Sequence, residues 1–469
     1  MNSPINLHVR KSMKGNPHVF DDYFKLQALT ITITSACNLH CDYCFEEHEG
    51  RLIKPDEMTK ILDITYNNFR KNNPEGPMPL SIFGGEPFIA WKSLKHGIEH
   101  AVEKGYELSI GITTNLTLLE DHHIDFIEEH DIGLLVSIDG TREVHNKLRD
   151  NSYDVVAGNI QRLIDRGLKR LIECRMTVPP SDFHNMVAGV QNIYSLGVDN
   201  IAPVVVTDQK WTPEQIETLK VELDKLYEWT LSLYEDEDNR RNPSIKMIED
   251  FLFECIQDDY DLKSGPCGFG SNIWLSIGPS GEMYPCHQIH TRKDQQKEFY
   301  MGNILEGDIL PHKILGALVP HSWKKSDDPK YTCDTCEAYN ICKGSCPSEN
   351  YDLNQNYLRT PDEWCEWVRM SRNVALKYQE KILNSKNLRN RRLNVFKMNL
   401  ELLDAVKKVV EHDITDKAFP MILLDVYERA LSGEHNLLPS FRELSFSKIE
   451  EFKNSMLSLQ QQIETSEKE

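Results

Sequence analysis

Between residues 27 and 236 the chain alternates short β-rich runs with amphipathic stretches of helical period, and this regularity narrows the fold more than any other feature. The β-runs are "ALTITIT", "PLSIFGG", "ELSIGITTN", "GLLVSID", "RLIECRMTV" and "IAPVVV". Helix-like segments separate them, and a further one, "TPEQIETLKVELDKLYEWTLSLYED", follows the last. Strands alternating with helices of this length predict βαβ units on a parallel sheet, because parallel neighbours need a long crossover. Six units fit an α/β fold of the partial (β/α)6, TIM-like barrel type better than a closed eight-fold barrel. In such folds chemistry sits at the carboxyl ends of the strands. The expected organisation is an N-terminal segment 1–26, the partial barrel 27–236, a helical linker 237–263, a cysteine-rich region 264–370 of fading periodicity, and a helical C-terminal extension 371–469.

A hydrophobic share of 40% is enough for a sizeable core. The net charge of −20 disfavours nucleic acid or an anionic membrane as the main partner. No apolar segment has the length of a signal-peptide core or a membrane span, so the expectation is a soluble, cytoplasmic protein. Its 12 cysteines are therefore poor disulfide candidates. Three fall within 37–44 and seven within 267–365, leaving Cys174 and Cys255 apart. Thiolates clustered in this way in a reducing compartment bind metal.

Cys37, Cys41 and Cys44 follow the first β-run as C-x3-C-x2-C. A zinc site asks for four protein ligands, which His40 or His48 could complete. A [4Fe-4S] cluster asks for one ligand per iron, so three thiolates leave one iron open. The amino and carboxylate groups of S-adenosylmethionine can chelate that iron and set its sulfonium beside the cluster. The second β-run ends in "GGEP", the third in "TTN" and the fourth in "SIDG", which "REVHNKLR" follows. Alone, GGEP reads as a turn. After a strand, its glycines also suit a close backbone approach to a ligand.

Taken together, the three-cysteine loop with Tyr43 before its last cysteine, GGEP and SIDG resemble the radical S-adenosylmethionine (radical SAM) family. The resemblance implies that Cys37, Cys41 and Cys44 hold a [4Fe-4S] cluster. It further implies that S-adenosylmethionine is contacted by Tyr43, Gly84, Gly85, Glu86, Asn115, Ser137, Asp139, Arg149 and Arg175. Ser137 and Asp139 would serve a ribose, and the arginines a carboxylate. Strand alternation places Arg175 equally well outside the barrel.

The second cysteine field runs Cys267, Gly281, Cys286, then Cys333-x2-Cys336-x5-Cys342-x3-Cys346, and finally Cys365. A bare C-x2-C…C-x3-C reads as readily as a zinc ribbon. All seven cysteines with the glycine resemble the SPASM extension of radical SAM enzymes, which implies two auxiliary [4Fe-4S] clusters and three in all. By position, Cys333, Cys336, Cys342 and Cys365 would hold the outer one. Cys267, Cys286 and Cys346 would hold the inner one, with its fourth position open to a substrate thiolate or filled by Cys255. A buried structural role for Cys255 is the plainer alternative.

The resemblance implies reductive cleavage of S-adenosylmethionine to a 5′-deoxyadenosyl radical and net oxidation of a substrate. The partners would be a precursor peptide and a low-potential electron donor such as flavodoxin or ferredoxin. Where sulfatase-maturing relatives carry an Asp base after the second auxiliary cysteine, "YPCHQ" has His287. That departure lowers the formylglycine reading and favours thioether crosslinking of a ribosomally made peptide, with carbon–carbon crosslinking as a further alternative. His287 becomes a proton-handling candidate, or a surface histidine with no such role. Only about 26 residues precede the first β-run, too few for the precursor-binding module of roughly 80 residues that many peptide maturases carry at that end. A structural or electron-transfer iron–sulfur protein is the non-enzyme alternative, but it would need no cofactor cradle.

Overall fold

A computed structural model describes residues 19–46, 48–207, 209–236, 241, 243–248, 269, 272–290, 292–310, 333, 336–338, 342, 344–357 and 359–384. All six expected strands form: β1 (Ala28–Thr34), β2 (Met78–Gly84), β3 (Leu108–Thr114), β4 (Gly133–Ser137), β5 (Ile172–Val178) and β6 (Asn200–Val205). They pair in parallel and in sequence order, which needs a crossover between each pair. Three strands absent from the sequence reading widen the sheet to nine. β7 (Ser244–Ile245) joins β6, β8 (Trp274–Ile277) lies parallel to β1, and β9 (Met283–Tyr284) runs antiparallel to β8.

Each strand sends alternate residues to opposite faces. On β5 the residues Ile172, Cys174, Met176 and Val178 are buried, whereas Glu173, Arg175 and Thr177 are less so. The buried set faces the crossover helices, whose apolar stripes close the outer core. In the helix Pro55–Asn72 that stripe is Met58, Ile61, Leu62, Thr65 and Phe69, at helical spacing. Arg175 therefore belongs to the inner face, which settles the ambiguity that alternation alone left open.

The helix Asp121–Glu129 carries His123, whose Nδ1 accepts the Glu120 N–H at 2.9 Å. Its ring stacks on Phe88 at 4.8 Å and meets Trp91 edge-on at 4.3 Å. Burial holds this imidazole down to about 4, so it is neutral in the folded chain.

By compactness the chain forms two units. The first comprises residues 1–226, 243–251 and 257–372, and so includes both the sheet and the cysteine-rich stretch. The second comprises 227–242, 252–256 and 373–469; within it Tyr227 and Tyr378 stack at 4.8 Å and Lys381 lies over the Tyr378 ring. The expected boundary at 370/371 falls inside one helix, Asp362–Asn384. Most of the expected C-terminal extension, 385–469, lies outside the described residues, as does most of the linker 237–263.

Two outcomes are expected. Ile31→Ala, at a site with no exposure, costs about 2–5 kcal/mol in urea denaturation. Because an unfolded histidine binds protons more readily than His123 does, its contribution to stability declines as pH falls from about 6.5 towards about 4. The gap in urea midpoint between wild type and His123→Asn should narrow over that window.

Candidate active site

The cysteine loop is held against the end of β2. Thr34 of β1 lies opposite Gly84, which has φ +154°. A Cβ on Gly84 would stand 2.4 Å from the Thr34 carbonyl oxygen. One on Gly85 would stand 2.2 Å from that of Ala36 and 3.0 Å from the Cβ of Cys37. The Gly85 and Glu86 amides donate to Thr34 and Ala36 at 2.9 and 2.8 Å. The tightest approach at both glycines is thus to the backbone that carries Cys37.

Glu86 is fully buried, and its carboxylate is consumed inside the protein. Oε1 accepts from Phe88 N at 3.1 Å and Thr114 Oγ1 at 2.8 Å, and Oε2 accepts from Asn115 N at 2.7 Å. Burial pushes its carboxyl up to about 7, and these donors hold it back from going higher. Through these bonds the Glu86 side chain joins β2 to the end of β3. Asn115, in turn, reaches the loop, with Nδ2 3.0 Å from Asn38 Oδ1 and 3.8 Å from the Cys37 sulfur.

Asp139, just past β4, has no exposure either. Its Oδ1 accepts from Thr177 N at 2.8 Å; its Oδ2 accepts the Tyr43 hydroxyl and Arg149 Nε, the latter at 2.6 Å. Both carboxylate oxygens of Asp139 are thus engaged by protein donors. The Tyr43 hydroxyl donates to this carboxylate. Arg149 also directs NH1 at the Cys41 sulfur, 3.7 Å away.

Cys37, Cys41 and Cys44 lie within electrostatic reach of one another. Burial pushes all three thiols up, Cys41 to about 11. Among the described residues no three His, Cys, Asp or Glu side chains converge as they would around a single metal ion. Three thiols on one loop, with Asn115 and Arg149 donors aimed at two of them, are a donor set that fits a [4Fe-4S] cluster.

Over this loop the inner face of the sheet gathers the remaining side chains. Phe83 of β2 stacks parallel to Phe45 at 6.0 Å and meets His287 at 4.5 Å. Arg175 and Arg292 bear on His287, which burial first and then these charges lower to about 4. Arg175, whose own charge burial disfavours, lies within electrostatic reach of Glu173, Glu349 and Tyr43. Ser137 stands beside it in register on β4. Phe45, Phe83 and Glu349 were missed by sequence reasoning; only Phe83, in step with Ser81 on the less buried face of β2, had a readable signal.

From the cysteine-rich stretch, Cys286 directs its sulfur to His287 Nδ1 at 4.0 Å, and Cys346 lies 3.7 Å from Gln288 Oε1. Cys346 caps the helix Pro347–Asn354, which carries Glu349, and Glu349 accepts the Thr207 hydroxyl. Cys333, Cys336, Cys342 and Cys365 lie within electrostatic reach as a separate group, with Arg369 Nε 3.4 Å from the Cys336 sulfur. Gly281, with φ +86°, turns β8 into β9 where a Cβ would meet Leu305. Cys255 and Cys267 lie outside the described residues.

Residues 31–190 match the radical SAM superfamily. A cysteine-type anaerobic sulfatase-maturating enzyme of Clostridium perfringens (strain 13 / Type A) is 23% identical over 366 residues, covering 71% of this chain and 93% of that protein. Structures of anSMEcpe with bound AdoMet (S-adenosylmethionine), without and with the Cp18Cys peptide, superpose at TM-scores of 0.59 and 0.57. Both are 18% identical and cover 76% and 75% of this chain and 98% and 99% of theirs. Streptococcus suis SuiB bound to S-adenosylmethionine gives 0.50 at 17% identity, covering 74% of this chain and 76% of that one. These likenesses establish a shared fold. Among the described residues no helix is long and apolar enough to cross a membrane.

Gly85→Ala is expected to cost about 1–3 kcal/mol and to lower the iron bound after anaerobic reconstitution, since the Ala36 carbonyl and Cys37 must move. Gly158→Ala, in open space within a helix, should leave iron content unchanged.

Proposed function

Because residues 31–190 form a radical SAM domain, we propose that the protein is an oxidoreductase that modifies a peptide substrate, joining a cysteine sulfur to a carbon of the same peptide. The observation that carries this reading is the meeting of His287, Phe83, Phe45 and Arg175 above the cysteine loop, with Cys286 and Cys346 at the same rim. Cys37, Cys41 and Cys44 would hold the cluster that binds S-adenosylmethionine, and the two cysteine-rich groups would hold two auxiliary clusters. When loaded, these groups supply the radical that removes a substrate hydrogen and an acceptor for the second electron.

The chain's own residues do the rest. Arg175, on the inner face, can hold a peptide carbonyl or carboxylate at the rim. Phe45 and Phe83 form an apolar wall that keeps water from the reacting carbon. His287 is neutral, next to Cys286, and able to accept a proton released when a substrate thiol is engaged there. A low-potential donor, flavodoxin or ferredoxin, would deliver the electron.

A second reading, oxidation of a protein cysteine to formylglycine, is favoured by the relative of which this chain spans 93%. It would give His287 the same work as a base.

Cys37→Ala should abolish 5′-deoxyadenosine formation, whereas Cys342→Ala should keep cleavage and lose product. His287→Ala should slow product formation by about 100-fold or more. Mass spectrometry of a cysteine-containing peptide co-expressed with the protein separates the readings. Loss of two hydrogens with a thiol that no longer alkylates supports crosslinking. An aldehyde in place of the cysteine supports formylglycine, and an unmodified peptide in both assays rejects both.

A further inference from the structure

We propose that Arg149, placed by sequence reasoning on the carboxylate of S-adenosylmethionine, acts instead on the sulfur of Cys41 and raises the reduction potential of the cluster held by the cysteine loop. This rests on the radical SAM reading.

Arg149 ends the short helix Arg142–Leu148 and is only 7% exposed. Its guanidinium is fixed from two sides. Nε donates to Asp139 Oδ2 at 2.6 Å, and the group lies over the Tyr43 ring with its central carbon 5.2 Å from the centroid. NH1 is left pointing at the Cys41 sulfur, 3.7 Å away. Swinging the side chain towards another anion would strand a carboxylate that has no exposure. The other donors to the loop's thiols are neutral: Leu39 N and Asn115 Nδ2, at 3.5 and 3.8 Å from the Cys37 sulfur, and the backbone amides of Asn38 at Cys37 and Glu46 at Cys44. Among the described residues Arg149 is thus the charged donor in the set.

One-electron reduction adds negative charge that spreads over the cluster's sulfurs. A cationic N–H on one of them stabilises the reduced form more than the oxidised form, so the potential rises. Asp139, one group further out, opposes this more weakly. The pair makes opposite predictions for its two members, which a loss of local packing would not do. Arg369 on Cys336 is a like contact in the cysteine-rich stretch and serves as a comparator.

The test is an anaerobic redox titration of full-length, reconstituted protein without S-adenosylmethionine, read by electron paramagnetic resonance. The cluster in question is identified by the signal that changes shape when S-adenosylmethionine is added to a parallel sample. In Arg149→Gln, the ratio of reduced to oxidised cluster at a fixed potential should fall about tenfold, the order expected for one charge-assisted hydrogen bond. That is a downward shift of about 59 mV for a one-electron couple. Asp139→Asn should shift the potential upwards, Arg149→Lys should fall between wild type and Arg149→Gln, and Arg369→Gln should leave this signal in place. An unchanged potential in Arg149→Gln together with weaker S-adenosylmethionine binding would make Arg149 a cofactor ligand and overturn the proposal. Shifts of the same sign in Arg149→Gln and Asp139→Asn would reduce it to packing. Should Arg149→Gln fail to take up iron, Arg149→Lys and Asp139→Asn decide by their signs. A wild-type protein that assembles no cluster responsive to S-adenosylmethionine would sink the radical SAM reading itself, a result distinct from the others.

Discussion

A single carboxylate without solvent contact, Asp139, ties together the elements on which the site depends. Through Thr177 N it links the end of β4 to β5, through the Tyr43 hydroxyl it grips the cysteine loop, and through Arg149 it reaches the Cys41 sulfur. Its own amide donates to His145 Nδ1 at 3.1 Å, and that ring's Nε2 lies 2.9 Å from Ser152 Oγ. A charge in such a place is stable only when each lone pair has a donor. The geometry of the loop is thereby coupled to the register of two strands, and nothing at this centre can move alone.

Glu86 is the counterpart of Asp139 on the other side of β3. It fixes the end of β2 to the end of β3, while Gly84 and Gly85 let β2 lie against the backbone before Cys37. Two buried carboxylates at strand ends thus frame a loop whose thiols burial pushes up, and each adds to that rise, Glu86 at Cys37 and Asp139 at Cys41. The inner face above it has a different character. Arg175 and His287 are its charged and polar groups, and Phe45 and Phe83 form the apolar side. The frame is closed by protein hydrogen bonds.

The six central strands were legible because each is a short apolar run bounded by polar or turn residues; "ALTITIT" became β1 with the same ends. β8 was not, because "WLSI" is four residues long, lies among glycines and cysteines, and finds its partner far away in the chain. Residue type and spacing singled out the three-cysteine loop and the outer four cysteines, and within each group the thiols lie within electrostatic reach of one another. What spacing cannot carry is where a side chain points. Glu86 and Asp139 stand within motifs that look made for a cofactor, yet both turn inward to protein donors. Arg175 was ambiguous until the pleat of β5 assigned its face. Phe45 and Glu349 had no signal at all, since their place depends on how the cysteine-rich stretch returns to the sheet.

That return has a consequence for how the chain is made. β1 has neighbours on both sides, β2 close by in sequence and β8 much later, with Ala28 beside Trp274. A nascent chain that has emerged only through β6 therefore shows one bare edge of the very strand that leads into the cysteine loop. Translation must run on to β8 before that edge is covered. The six-strand portion by itself is an unfinished sheet, prone to pair with other chains, and not a minimal version of the protein.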